Sequence, residues 1–198
     1  MDPLDILRAL WLFLPAYAAN MAPVFAAKLV PGWTAPIDGG RMGGDGERLL
    51  GPGKTWRGLA GGTLVGGLVA LLLAYLAPWW GTMRDVDFGV GAVGPLRVLL
   101  FGAVVGGMAL VGDFVKSYFK RRRKIARGRS WFPFDQLDFV VFGLLGMTLA
   151  APLLPAGWVA HRLLDSWLTL ATLLVLTPLL HLLVNRVGYW LGLKEVPW

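Results

Sequence analysis

The chain has 198 residues, of which 56% are hydrophobic and only 16% charged, with a formal net charge of +7 and no cysteine. A soluble domain averages about 45–50% apolar and about 25% charged residues, so this composition belongs to a membrane protein. The lack of cysteine excludes disulfides and thiolate metal sites, and asparagine occurs only at Asn20 and Asn185 and glutamine only at Gln136, a scarcity known from thermophilic proteins.

A helix needs about 20 mostly apolar residues to cross a hydrocarbon core of about 30 Å. Five segments qualify, which predicts an all-α integral membrane protein with five transmembrane helices in a single domain over 1–198. The spans are about 7–30, 59–76, 98–115, 139–154 and 167–184, with polar loops at 31–58 and 116–135. The first carries Pro15 and Pro23 as expected kinks. It follows Asp2 and Asp5 where a signal peptide would have a basic start, and is expected to be retained. In the second and third, Gly58, Gly62 and Gly66, and then Gly102 and Gly106, recur at every fourth residue, a stripe that lets two backbones approach in lipid.

Charge sets the expected orientation. Arg41, Arg48, Lys54 and Arg57 fall between spans one and two; Lys120, Arg121, Arg122, Arg123, Lys124, Arg127 and Arg129 fall between three and four. The other two loops carry only Arg84 and Arg97, and Arg162. The positive-inside rule therefore places both basic loops and the C-terminus in the cytoplasm and the N-terminus outside. Trp79 and Trp80 end span two where an outer aromatic belt would lie.

The stretch Gly51-Pro-Gly-Lys-Thr-Trp-Arg-Gly58 invites a nucleotide reading, but a Walker A loop would need glycine at position 48, which is Arg48, and a strand before it. The upstream residues 38–47 are polar and glycine-rich, a loop. Glycines still let backbone N–H groups come close to an anion, and Lys54 and Arg57 supply charge. The expectation is contact with a polyphosphate without a P-loop fold.

Asp113 lies inside span three, where a carboxylate costs about 2.5–3.5 kcal/mol on insertion scales and usually faces a bundle interior. Asp113, Ser117, Lys120, Arg121 and Lys124 follow steps of three and four and share a helix face. Asp135 and Asp138 project together from the start of span four, after Pro133. The plainer alternative is a snorkelling basic helix end with one paired aspartate, and carboxylates that complement a helix dipole. Carboxylates without cysteine or a histidine ligand nearby point to a hard cation, Mg²⁺, which binds one or two carboxylates together with substrate phosphates.

Gly112-Asp113-x-x-x-Ser117-x-x-Lys120-Arg121 followed by Asp135-Gln-Leu-Asp138-Phe139 resembles the CDP-archaeol synthase family of archaeal membranes. In outline it is similar to the bacterial and eukaryotic CDP-diacylglycerol synthases, with Gln136 where that broader group has arginine. Asp38-Gly-Gly, Asp45-Gly-x-Arg48, Gly51-x-Gly-Lys-Thr55 and Leu14-Pro-Ala-Tyr-Ala-Ala-Asn20-Met-Ala-Pro23 match the archaeal family too. The resemblance implies a Mg²⁺-dependent cytidylyltransferase that joins CTP to an unsaturated ether-lipid phosphate, giving CDP-archaeol and pyrophosphate. By that carry-over Asp113, Asp135 and Asp138 are metal ligands. Ser117, Lys120 and Arg121 hold phosphates, and Asp38, Gly39, Asp45, Arg48, Lys54, Thr55 and Arg57 surround CTP.

The expected partners are CTP, an archaeal ether-lipid phosphate and the membrane; a homo-oligomer is compatible, and no nucleic acid is expected. Asn20 is either a polar contact between helices or part of the cavity. Arg122, Arg123 and Lys124 are expected to be surface charge. His161 and His181 lie apart and are not read as ligands, and span five is read as scaffold. A small transporter or channel with an intramembrane aspartate is the rival reading. Against it, the sequence has no evident internal repeat, and its polar residues gather at one membrane face.

Overall fold

In the computed structural model, which describes residues 4–86, 88–126, 129–158 and 167–192, every regular element is helical. Arg127, His161 and Arg162 fall outside the described residues, as does the side chain of His181. The long helices are α1 (Leu4–Leu29), α2 (Trp56–Leu76), α4 (Pro95–Arg122), α5 (Phe134–Ala150) and α6 (Trp167–Trp190), with a one-turn α3 (Val90–Val93) before α4. All five long helices are apolar and long enough to span a membrane. The chain is an all-α integral membrane protein with five transmembrane helices.

The helices overrun several of the span ends expected from hydropathy, two of them at the second polar loop. Helix α4 continues past Val115 to Arg122, and α5 opens at Phe134, so the loop expected at 116–135 is helical at its start and again at its end. Hydropathy marks where apolar residues stop. A helix stops where its hydrogen-bond ladder stops, and Lys120, Arg121 and Arg122 in the last turn of α4 favour its continuation by complementing the dipole. Pro15 and Pro23 both lie inside an uninterrupted α1.

Helix α4 is the hub, packed on α1, α2 and α5, while α6 rests on α1 and α5. Its contact with α2 is backbone against backbone. A Cβ placed on Gly66 would lie 2.6 Å from the Gly102 carbonyl oxygen, and one on Gly102 would lie 2.5 Å from that of Gly66. The stripe does not serve one partner, however. Gly58 faces Pro23 of α1, and Gly62 is wedged between Ala19 of α1 and Leu110 of α4. A second set of close approaches joins α4 to α5: Gly112 against the carbonyl of Asp138, and Gly146 against Val105 and Met108.

Leu64, Leu68 and Leu72 on α2 and Val141, Leu145 and Leu149 on α5 are exposed at every fourth residue. These are the faces a bilayer covers, the reverse of a soluble bundle. Inside, Phe13 and Tyr17 of α1 pack against Phe139 of α5, the tyrosine edge-on, and the Tyr17 hydroxyl meets Thr177 Oγ1 of α6 at 2.5 Å. The Gly102→Ala variant should melt lower in detergent, by an overpacking cost of about 1–3 kcal/mol, while Leu68→Ala on the lipid face should melt like the wild type. Equal melting of Gly102→Ala and wild type would mean the two backbones are not in contact.

Candidate active site

The loop 30–55 is organised around one buried carboxylate. Asp38 Oδ1 accepts from the Gly40 amide at 3.0 Å and from Arg48 at 2.5 Å; Oδ2 accepts from the amides of Leu50 at 3.1 Å and Gly51 at 3.3 Å. Gly40 and Gly51 hold φ of +79° and +98°, which turns their N–H groups inward at little cost only because they lack a Cβ. Burial pushes the Asp38 carboxyl upward, but the hydrogen bonds from Arg48, Leu50 and Gly40 outweigh it and hold the group below the usual carboxylate range.

A latch joins this loop to the membrane helices. Arg122, in the last turn of α4, pairs with Asp45 and donates to the carbonyls of Glu47 at 3.1 Å and Arg48 at 2.9 Å, while its guanidinium lies 5.4 Å from the Tyr118 ring centroid. The sequence reading of Arg122 as surface charge is thus corrected: it anchors the loop. Arg123 and Lys124 stay exposed.

The loop ends in Gly51–Thr55 and runs directly into α2, whose N-cap is Thr55; the threonine side chain accepts from the Gly58 amide at 3.1 Å. No strand precedes it, so the arrangement is not a P-loop. Lys54 reaches from it to Asp113 on α4. On the other side of Asp113 stands Lys116, 3.0 Å from Asp113 Oδ1, 2.9 Å from Asp138 Oδ2 and 3.6 Å from Asp135 Oδ1. Lys120 completes the group, 3.0 Å from Asp135 Oδ1 and 2.6 Å from the Arg129 carbonyl.

These groups face a cavity of about 390 Å³ between the loop and the ends of α2, α4 and α5. Of the residues expected at the site, Lys54, Thr55, Asp113, Ser117, Lys120, Arg121, Asp135 and Asp138 line it together. Asp38, Gly39, Asp45, Arg48 and Arg57 do not. The first four lie in the loop behind the cavity, and Arg57 donates to the Val30 carbonyl at 2.6 Å, capping the exit of α1. Asn20 belongs to the cavity wall, which decides the alternative left open by sequence.

The sequence reading missed three contributors. Lys116 follows Asp113 by three and precedes Lys120 by four, so helical spacing alone could have found it. Arg129 lies in an irregular loop with no such signal. Asn185 brings α6 to the cavity, so that helix is more than scaffold.

Among the described residues no three acidic or histidine side chains form a ready-made metal cage. Asp113, Asp135 and Asp138 nevertheless converge, with the Lys116 ammonium standing among carboxylates that would otherwise repel one another in a poorly solvated place. Asp138 keeps both carboxylate oxygens buried at the cavity, with the Lys116 ammonium 2.9 Å from Oδ2. Hard carboxylate oxygen donors of this kind fit Mg²⁺, which takes one or two carboxylates and completes its shell with water and phosphate oxygens.

A depressed carboxylate contributes stability that is present above its unfolded pKa and lost as pH falls through the folded value. Amide protection factors at Leu50 and Gly51 should therefore hold from pH 8 to about 5 and fall only below about 3.9. In Asp38→Asn they should be low already at neutral pH. Unchanged protection in that variant would show that the carboxylate does not hold the loop.

The chain is similar to known proteins over nearly its whole length. The family described as CarS-like, CDP-archaeol synthase, matches residues 4–198. The chain is 43% identical over 190 residues to the CDP-archaeol synthase of Methanospirillum hungatei, covering 93% of this chain and 99% of that one. It is 42% identical over 193 residues to that of Halobacterium salinarum (98% and 97% covered) and 38% identical over 195 residues to that of Thermococcus kodakarensis (98% and 97%). A solved structure described as an intramembrane enzyme for archaeal membrane lipids biosynthesis matches with a TM-score of 0.59 at 31% identity, over 91% of this chain and 94% of that one. With a family model that matches residues 4–198 and relatives matched over nearly their full length, the chain belongs to the CarS-like CDP-archaeol synthase family and is an enzyme.

Proposed function

We propose that this enzyme transfers CMP from CTP to the phosphate of an unsaturated archaeal ether lipid, forming CDP-archaeol and releasing pyrophosphate. The observation that carries this reading is one cavity in which a glycine-rich loop, a helix N-terminus and a cluster of lysines and aspartates meet at the ends of membrane helices. CTP arrives from water and the lipid from the bilayer, so the reaction requires a site open to both.

In the reaction a lipid phosphate oxygen attacks the α-phosphorus of CTP, a new P–O bond forms, and the bond from the α-phosphorus to the bridging oxygen breaks as pyrophosphate leaves. The nucleophile is already an anion, so no general base is needed. The residues bring two polyanions into line and neutralise them. The N-terminus of α2, with Thr55, Gly58 and Leu59 at the cavity, offers its dipole to phosphate. Lys54, Lys120 and Arg121 supply positive charge along the same wall, with Ser117 as a hydroxyl donor. Asp113 and Asp138, with Asp135 beside them, would hold Mg²⁺, which when bound neutralises charge developing on the leaving pyrophosphate. Asn20 and the apolar Pro23, Val24, Leu110 and Phe114 make the wall that suits the lipid.

The cavity lies at the C-terminal end of α4 and the N-terminal end of α2, which we place in the cytoplasm together with the C-terminus, the N-terminus lying outside. The absence of cysteine makes this testable. In intact cells an impermeant thiol reagent should spare Lys124→Cys and label Trp79→Cys, and the reverse pattern would invert the orientation.

Detergent-purified protein given CTP labelled at the α-phosphate, the lipid phosphate and Mg²⁺ should move label into the lipid fraction, and chelation should stop it. Asp138→Asn should lose at least about a hundredfold in rate, the scale of a lost transition-state electrostatic contact, while melting as a folded protein. Folded wild type that labels neither archaeal ether lipid phosphate nor phosphatidic acid would refute the assignment.

A further inference from the structure

The mechanism above gives Lys116 no task, yet it stands where the three carboxylates of the cavity meet. Its ammonium lies within 3.6 Å of carboxylate oxygens from three aspartates, one on its own helix and two on α5. We infer that Lys116 is the resident counter-ion of the site: it fills the point where the carboxylates meet until a metal-bearing triphosphate arrives, and so keeps divalent ions from entering ahead of nucleotide. This rests on the proposed cytidylyl transfer.

Charge balance supports the assignment. The cluster contains three carboxylates, Asp113, Asp135 and Asp138, and three ammonium groups, Lys54, Lys116 and Lys120. The cluster itself is neutral before any ligand binds, and Arg121 and Arg129 on the same cavity wall add positive charge outside it. A bare divalent cation added to it would leave an excess of two positive charges in a poorly solvated place, which is costly. A metal that arrives with a polyphosphate brings its own anion, and the site gains no such excess.

The geometry also singles out Lys116 among the three. Lys54 is committed to Asp113 from the loop side, and Lys120 is held by the Arg129 carbonyl as well as by Asp135. Lys116 alone contacts all three carboxylates. Its flexible four-carbon stem lets a point charge swing from carboxylate to phosphate oxygen within one cavity, which a rigid guanidinium fork does less readily. Entry of the metal and transfer of the ammonium to phosphate are then one exchange.

The test is Mn²⁺ binding by the full chain in detergent, read from the loss of free-ion EPR signal, with and without CTP, beyond the loss that CTP causes in protein-free detergent. Wild type should bind Mn²⁺ weakly alone and tightly with CTP. Lys116→Met, which leaves one uncompensated negative charge, should bind Mn²⁺ alone at least about tenfold more tightly than wild type, the lower end of what one neighbouring charge does to an ionisation. It should also melt lower in chelator and recover with Mg²⁺, which keeps the test valid for a variant too unstable without metal. Lys116→Arg should bind Mn²⁺ alone as weakly as wild type. Equal Mn²⁺ affinity of wild type and Lys116→Met without nucleotide would overturn the inference while leaving cytidylyl transfer intact. Failure of wild type to bind Mn²⁺ even with CTP would overturn both.

Discussion

Three carboxylates must be held close together at the end of two membrane helices, and most of what is distinctive in this chain answers to that requirement. Each would be costly alone at that depth, so each is matched by an ammonium from a different place: Lys54 from the loop, Lys116 and Lys120 from α4. The pairing is possible only because α4 and α5 come together closely. Gly112 makes that approach, since a Cβ there would lie 2.7 Å from the Asp138 carbonyl oxygen. The glycine next to Asp113 is thus a packing residue that sets the distance between the two charged helix faces.

The same constraint explains the division of labour in the first loop. Residues 51–55 reach the cavity, whereas Asp38, Arg48 and Asp45 bind the loop to itself and to Arg122. A glycine-rich segment has much conformational entropy to lose, and a single carboxylate accepting three amides and a guanidinium removes that freedom before substrate arrives. Preorganisation of this kind lets binding energy act on the reacting phosphates instead of on ordering the loop. Under the proposed reaction, motif residues outside the cavity would act on catalysis through position.

The membrane supplies the second half of the design. Glycine pairs bring α2, α4 and α5 together by backbone contact, because apolar side chains gain little from leaving a solvent that is itself apolar. Leu64, Leu68 and Leu72 of α2 face outward, while Asn20 of α1 and Asn185 of α6 face the cavity. The cavity then combines charged side chains from the loop, α4 and α5 with an apolar wall of Pro23, Val24, Leu110 and Phe114, an arrangement that suits the proposed substrate with its phosphate head and hydrocarbon tail.

Hydropathy, a one-dimensional property, was enough to locate the five spans, and helical spacing was enough to bring Asp113, Ser117, Lys120 and Arg121 to one face and Asp135 and Asp138 to another. These are local regularities, legible because a membrane helix satisfies its own backbone. Span ends were less legible: α4 runs on to Arg122 because hydrogen-bonding persists where apolar composition has stopped. What tertiary structure alone decided are the long-range pairings. That Arg122 holds Asp45, that Arg57 caps α1, that Asn185 reaches the cavity and that Lys116 lies among three carboxylates all depend on which helix faces which. Electrostatic partners are chosen by distance in space, and neither composition nor periodicity along one strand of sequence contains that distance.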